Sequence, residues 1–117
     1  MELSREPGVG LQGMARISNQ QEYTAADHSY LRLIDHPLNE LLGSDWKSSI
    51  HPRDVPRAVH AFQDMQLSGI GEFHGHTMTK EGDGVPVRVL LVQNYSEVGG
   101  SGHYCFIRSA YTPIGRN

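Results

Sequence analysis

The sequence predicts an α+β domain in which short helices and one longer helix pack on one face of a single antiparallel five-stranded sheet. Three observations carry this. Apolar residues recur at helical spacing from Asp54 to Gln66. They then alternate at strand spacing from Glu72 to Thr112, interrupted by two glycine-rich breaks. The chain has 117 residues, enough for one hydrophobic core and too few for two.

Residues 1–13, with Pro7 and glycines at 8, 10 and 13, read as a flexible arm. The folded domain is expected over 14–113, leaving 114–117 as a tail. Ile17 and Tyr23 fit two short strands, with Asn19, Gln20 and Gln21 turning between them. Asp27 suits the N-cap of a short helix to Ile34, whose apolar stripe is Tyr30, Leu31, Leu33 and Ile34. Pro37 opens a second short helix through Leu38, Leu41 and Leu42, which Gly43 ends. Trp46 and Ile50, four apart, can share a face. In the longer helix Val55, Ala58, Val59, Phe62 and Met65 form the inward stripe. Pro52 and Pro56 fall in its opening turns, where amide N–H groups lack intrahelical partners.

Three strands follow, over 72–80, 85–95 and 103–112. The segment Glu81-Gly82-Asp83-Gly84 suits the positive φ values of a tight hairpin, and 97–102 forms a second loop. Val85, Val87, Val89 and Leu91 alternate with Pro86, Arg88, Leu90 and Val92, and the apolar run 89–92 predicts burial on both faces. On the last strand Tyr104 and Phe106 alternate against Cys105 and Ile107.

Composition excludes several functions. Net charge is -3, and the ten Lys and Arg residues are dispersed, so the clustered cations that neutralise nucleic-acid phosphates are missing. No apolar run approaches the roughly 18 residues that span a bilayer, and the N-terminus lacks the charged-then-apolar order of a secretory signal. A soluble, cytoplasmic protein that binds neither nucleic acid nor membrane is the expectation. Cys105, the single cysteine, cannot close an intrachain disulfide and should pack as a small hydrophobe beside Tyr104, Phe106 and Ile107. The glycine pairs precede no helix, so they cradle no phosphate. No nucleophile–base pair or carboxylate pair stands in an apolar setting, and the chain is not expected to be an enzyme.

Local motifs add a resemblance. Tyr30-Leu31-Arg32-Leu33-Ile34 precedes Leu38-Asn39-Glu40-Leu41-Leu42-Gly43; Trp46 follows, then His51-Pro52-Arg53-Asp54 before the longer helix, and Asp83-Gly84 in a hairpin. In order and spacing these resemble the PAS domains of bacterial sensor proteins over roughly 14–113. The resemblance implies a sensory module that binds a small molecule or a partner protein and relays the event through dimer packing to a signalling effector. Alternatives are a ligand-free homodimerisation module, with Val9, Leu11 and Met14 against the outer sheet face, or a small α+β-cone enzyme.

The cofactor branches of the family fit poorly. Gly43-Ser44-Asp45-Trp46 has no cysteine where the flavin-adduct branch carries one, and Ser109-Ala110-Tyr111-Thr112 replaces the closing D-I-T. His60, where the haem branch places its ligand, points away from the stripe of the longer helix. His74 and His76 share one strand face, with His103 as a conceivable third metal ligand, but a polar sheet face is the preferred reading. A ligand pocket between the concave sheet face and the helices would be lined by Tyr30, Trp46, Val59, Phe62, Phe73, Leu91 and Tyr104.

Overall fold

The structure, a computed structural model, describes residues 12–78, 84–95 and 102–110. Strands β1 (Gln12–Ile17) and β2 (Tyr23–Ala26) lead into helices α1 (His28–Ile34) and α2 (Leu38–Leu41). Two 3-10 turns, Trp46–Ser49 and Pro52–Asp54, precede helix α3 (Val55–Ser68). Strands β3 (Ile70–His76), β4 (Pro86–Gln93) and β5 (His103–Ser109) close the fold. All five strands join one sheet in the order β2-β1-β5-β4-β3, and every pairing is antiparallel.

Local chemistry explains the helix limits. The Asp27 side chain accepts from the Tyr30 amide at 2.9 Å, capping α1 as its position predicts. Gly43 follows α2 in the left-handed region, and Gly69 ends α3 there with its amide donating to the Met65 carbonyl at 2.7 Å. At the start of α3 the His51 ring accepts from the Arg53 amide at 3.2 Å. Asp54 does not cap: its side chain is buried and accepts from the His76 amide at 2.9 Å and from the His76 ring at 3.2 Å. Arg57 also contacts it. Asp54 thus pins the head of α3 to the end of β3.

Two expectations are corrected by close backbone approach. The arm was expected to reach residue 13, yet Gln12 and Gly13 already belong to β1. A Cβ at Gly13 would collide with the backbone of Tyr30, so the missing side chain is what lets α1 lie against this strand. On the other side, a Cβ at Gly71 would meet the Ala61 carbonyl. Helix α3 therefore rests on β3 along its small residues, and its buried line is Ala58, Ala61 and Met65 with Phe62 half-buried. At about 100° per residue this turns Val59 outward, where it is 36% exposed. His60 lies on the solvent side of the helix.

Alternation on the strands sorts residues between two faces. Gly13, Ala15 and Ile17 of β1, Phe73 of β3, Val87, Val89 and Leu91 of β4, and His103, Cys105 and Ile107 of β5 turn toward the helices and are buried. Leu90 and Val92 turn the other way and are half-buried, so the two-sided apolar run of β4 meets helices on one face only. The expected arm up to residue 11, the hairpin residues 81–83, most of the second loop and the tail lie outside the described residues.

Candidate functional site

The segment between α2 and α3 delivers polar and aromatic side chains onto the concave face. It is tied to the start of β2 and to the turn before it: the Tyr23 amide donates to the Ser44 carbonyl at 2.9 Å, and the Trp46 amide donates to the Gln21 carbonyl at 3.1 Å. At its far end it is tied to β3, where the His51 amide donates to the His76 carbonyl at 2.8 Å. Trp46 and Ser49 are thereby held inward, both buried. Trp46, Tyr23, Tyr30, Ile34, Met65, Leu91 and Ile107 fill the space between helices and sheet.

A run of hydroxyls crosses this interior. The Tyr23 hydroxyl lies 2.6 Å from that of Tyr30, which donates to Cys105 Sγ at 3.6 Å. Tyr23 also bonds Ser49 Oγ, and both have the Trp46 carbonyl within reach, at 3.2 Å and 3.1 Å. Each hydroxyl has one proton, so protons can run from Ser49 through Tyr23 and Tyr30 to Cys105, with the Trp46 carbonyl as the alternative acceptor at the outer end. Burial pushes the Tyr23 and Tyr30 phenols above their ordinary range and the Cys105 thiol up to about 12. All three therefore stay neutral, and Cys105 is a packed thiol with no thiolate to attack a substrate.

At one end of the core stands His103. It is 2% exposed, with its ring edge-on to Trp46 and to Phe62, each centroid at 5.4 Å. Burial, assisted by the Lys47 charge, lowers its pKa to about 4, so the ring is neutral near pH 7. Its Nε2 is buried without a hydrogen-bond partner among the described residues. Beside it opens a cleft of about 130 Å³ lined by Ser18, Asn19, Gln21, Phe62, Met65, Gln66, Gln93 and Gly102.

Of the residues expected to line a pocket, Tyr30, Trp46, Phe73 and Leu91 are buried on the concave side, and Phe62 borders the His103 cleft. Val59 and Tyr104 are not brought there. Val59 is on the solvent side of α3. Tyr104 is out of phase with the inward residues of β5 and lies on the outer face, with the Arg16 guanidinium 5.9 Å above its ring. His103 also cannot complete a metal set with His74 and His76, because it faces the helices while His74 faces outward, two strands away. No group of three or more His, Cys, Asp or Glu side chains among the described residues is placed to hold a metal. Sequence reasoning omitted Tyr23, Ser49 and His103 from the interior, although His103 shares the phase of Cys105 and Ile107.

The outer face is organised in rows across the strands. Ile70, Val92, Tyr104 and Arg16 form one; Glu72, Leu90, Phe106 and Met14 the next; His74, Arg88, Arg108 and Gln12 the third. Arg88 reaches Glu72 diagonally. A groove of about 300 Å³ opens here between Gln12, Glu72, Arg88, Leu90, Phe106 and Arg108.

This arrangement matches known structures. A PAS domain of a protein from Colwellia psychrerythraea superposes with TM-score 0.75 at 13% identity, over 87% of each chain. This is the PAS fold. A PAS domain from a two-component sensor histidine kinase matches at TM-score 0.70 and 13% identity, again over 87% of each chain. The N-terminal domain of a diguanylate cyclase with PAS/PAC sensor from Marinobacter aquaeolei matches at TM-score 0.67 and 17% identity, over 84% of this chain and 94% of that one. No family model and no curated protein matches the sequence.

Proposed function

We propose that this PAS-fold domain is a sensory signal-transduction module, acting by binding and not by catalysis, whose signal passes through the packing of two copies. Its fold is shared with domains of a sensor histidine kinase and a diguanylate cyclase, and its buried hydroxyls and thiol are held neutral. A free buried cysteine suits a reducing compartment such as the cytoplasm.

The observation that carries the pairing is the apolar centre of the outer sheet face, Met14, Leu90, Val92, Tyr104 and Phe106, unroofed among the described residues. A second copy fits it by symmetry. A twofold axis along the strands sets Leu90 and Val92 of one copy over Phe106 and Tyr104 of the other. It also brings Glu72 at the β3 side over the β1 side, next to Arg16, and leaves Arg88 and Arg108 toward the solvated end.

Light scattering on the wild type and on Leu90→Glu tests this. The expected result is a dimer that Leu90→Glu converts to a monomer of unchanged circular dichroism. A monomeric wild type, or a Leu90→Glu dimer, removes the outer face from the relay.

A further inference from the structure

We propose that the arginine end of the outer sheet face, where Arg88 and Arg108 flank a groove floored by Leu90 and Phe106, binds a small monocarboxylic acid with an apolar body. This adds a ligand to the face used in the pairing of copies, and it stands whether or not copies pair.

Charge is the first argument. Arg88 on β4 and Arg108 on β5 are direct cross-strand partners, both exposed, and like charges so placed repel. Only one of them is answered. Glu72, on the far side of Arg88 from β5, accepts from Arg88 Nε at 3.0 Å and from its Nη2. The Arg108 guanidinium has neither ion pair nor hydrogen bond among the described residues. Its other neighbour in the row is Gln12, whose side-chain amide adds an uncharged donor. Arg88, Glu72 and Arg108 together leave one positive charge, carried on a planar fork of N–H donors that suits a carboxylate. A second copy does not supply that carboxylate. In the twofold arrangement above, the row of one copy faces the same row of the other, and cations meet cations.

Shape narrows the class. The groove of about 300 Å³ has the half-buried Leu90 and Phe106 as its floor, with the arginines and Gln12 along one side. That volume is about ten waters' worth, room for a ligand of about ten heavy atoms. An apolar body gains by covering Leu90 and Phe106, which no described element covers. Glu72 borders the same groove, so a second acidic group on the ligand meets repulsion, which favours a monoacid over a diacid or a phosphate. A cation finds Glu72 already engaged by Arg88.

Phenylacetate is the probe, titrated at fixed ionic strength into the full chain labelled with 15N-arginine and followed by the arginine Nε–Hε resonances. Saturable shifts of Arg88 and Arg108 at millimolar concentration are expected, without matching shifts of the exposed Arg32 and Arg53 on the helical side. Arg108→Gln, a change at an exposed position that should leave the circular dichroism unaltered, should weaken binding about tenfold. The neutral analogue phenylethanol and the bodiless acid acetate should each bind at least about tenfold more weakly than phenylacetate. Arginine resonances that do not respond saturably to phenylacetate overturn the proposal. So does an affinity that is unchanged in Arg108→Gln, matched by phenylethanol (apolar adhesion alone) or matched by acetate (ion pairing without the groove). A second copy would cover Leu90 and Phe106, so if light scattering finds the wild type dimeric the titration is run in Val92→Glu. Val92 stands opposite Tyr104, outside the groove, and a charge there should separate the copies. Light scattering on the ligand-free wild type decides the pairing by itself, so a monomer sinks that reading and leaves the titration to decide this one.

Discussion

The two faces of β5 are built from similar residues and have different fates. His103, Cys105 and Ile107 are buried beneath helices, whereas Tyr104, Phe106 and Arg108 lie on a face that no described element covers, the first two half-buried and Arg108 exposed. The strand does not distinguish them; what lies above it does. On the concave side, Gly13 and Gly71 allow α1 and α3 to settle onto the sheet, and polar atoms there must find partners inside the protein. On the outer side, polar atoms reach water and apolar atoms gain only by meeting another surface. Inward substitutions should therefore act on stability, and outward ones on association.

The largest contrast is expected between Trp46→Ala and Tyr104→Ala. Trp46 is wholly buried, and its truncation should cost about 3–5 kcal/mol through lost burial and an unfilled cavity. Tyr104→Ala should cost less than about 1 kcal/mol in dilute solution, where no partner covers it. Urea unfolding at low protein concentration measures both. Equal losses would break the comparison and show that the outer face is also a core.

Acid sharpens it next. His103 has a folded pKa of about 4 against an ordinary 6.5, so between these values the unfolded chain binds more protons than the folded one. Stability should be full above pH 6.5 and fall as pH drops toward 4, by about 3 kcal/mol in all. His103→Leu should flatten that limb. Asp54 has the opposite dependence on charge and a lower window. Burial disfavours its ionised form, but hydrogen bonds from His76 and the Arg57 charge outweigh this and hold its pKa below the usual value of 3.8. Its contribution is present above pH 3.8 and is lost as pH falls through that lowered value, so a residual acid transition should survive in His103→Leu.

The difference between the faces also explains what could be read in the sequence. The sheet, the caps at Asp27 and Gly69 and the existence of α3 follow from local periodicity and turn chemistry, which act within a few residues. The rotation of α3 does not. Val59 is a better hydrophobe than Ala58 or Ala61, and pattern alone draws it inward. Only the contact of Ala61 with Gly71, ten residues away and on another element, shows that small side chains face the sheet. Tyr104 entered the expected pocket because aromatic residues favour cores, although its phase opposes that of Cys105. His103 was legible in phase, and its polarity argued against a core position. The lack of a hydrogen-bond partner for its Nε2 among the described residues is a tertiary fact, and so is the cleft beside it.

The smallest effect isolates the hydroxyl run from the packing around it. Tyr23→Phe keeps the ring edge-on to Tyr30, now with centroids 5.7 Å apart, and removes one oxygen. Tyr30 then retains Cys105 as acceptor, and Ser49 retains the Trp46 carbonyl, so neither remaining proton is stranded. The loss should be about 1 kcal/mol, the usual net worth of a buried hydrogen bond. Double substitution with Cys105→Ala tests whether the run behaves as a unit. Additive losses would mean that each hydroxyl serves its own neighbour; a smaller combined loss would mean that Cys105 is felt through Tyr30 as far as Tyr23.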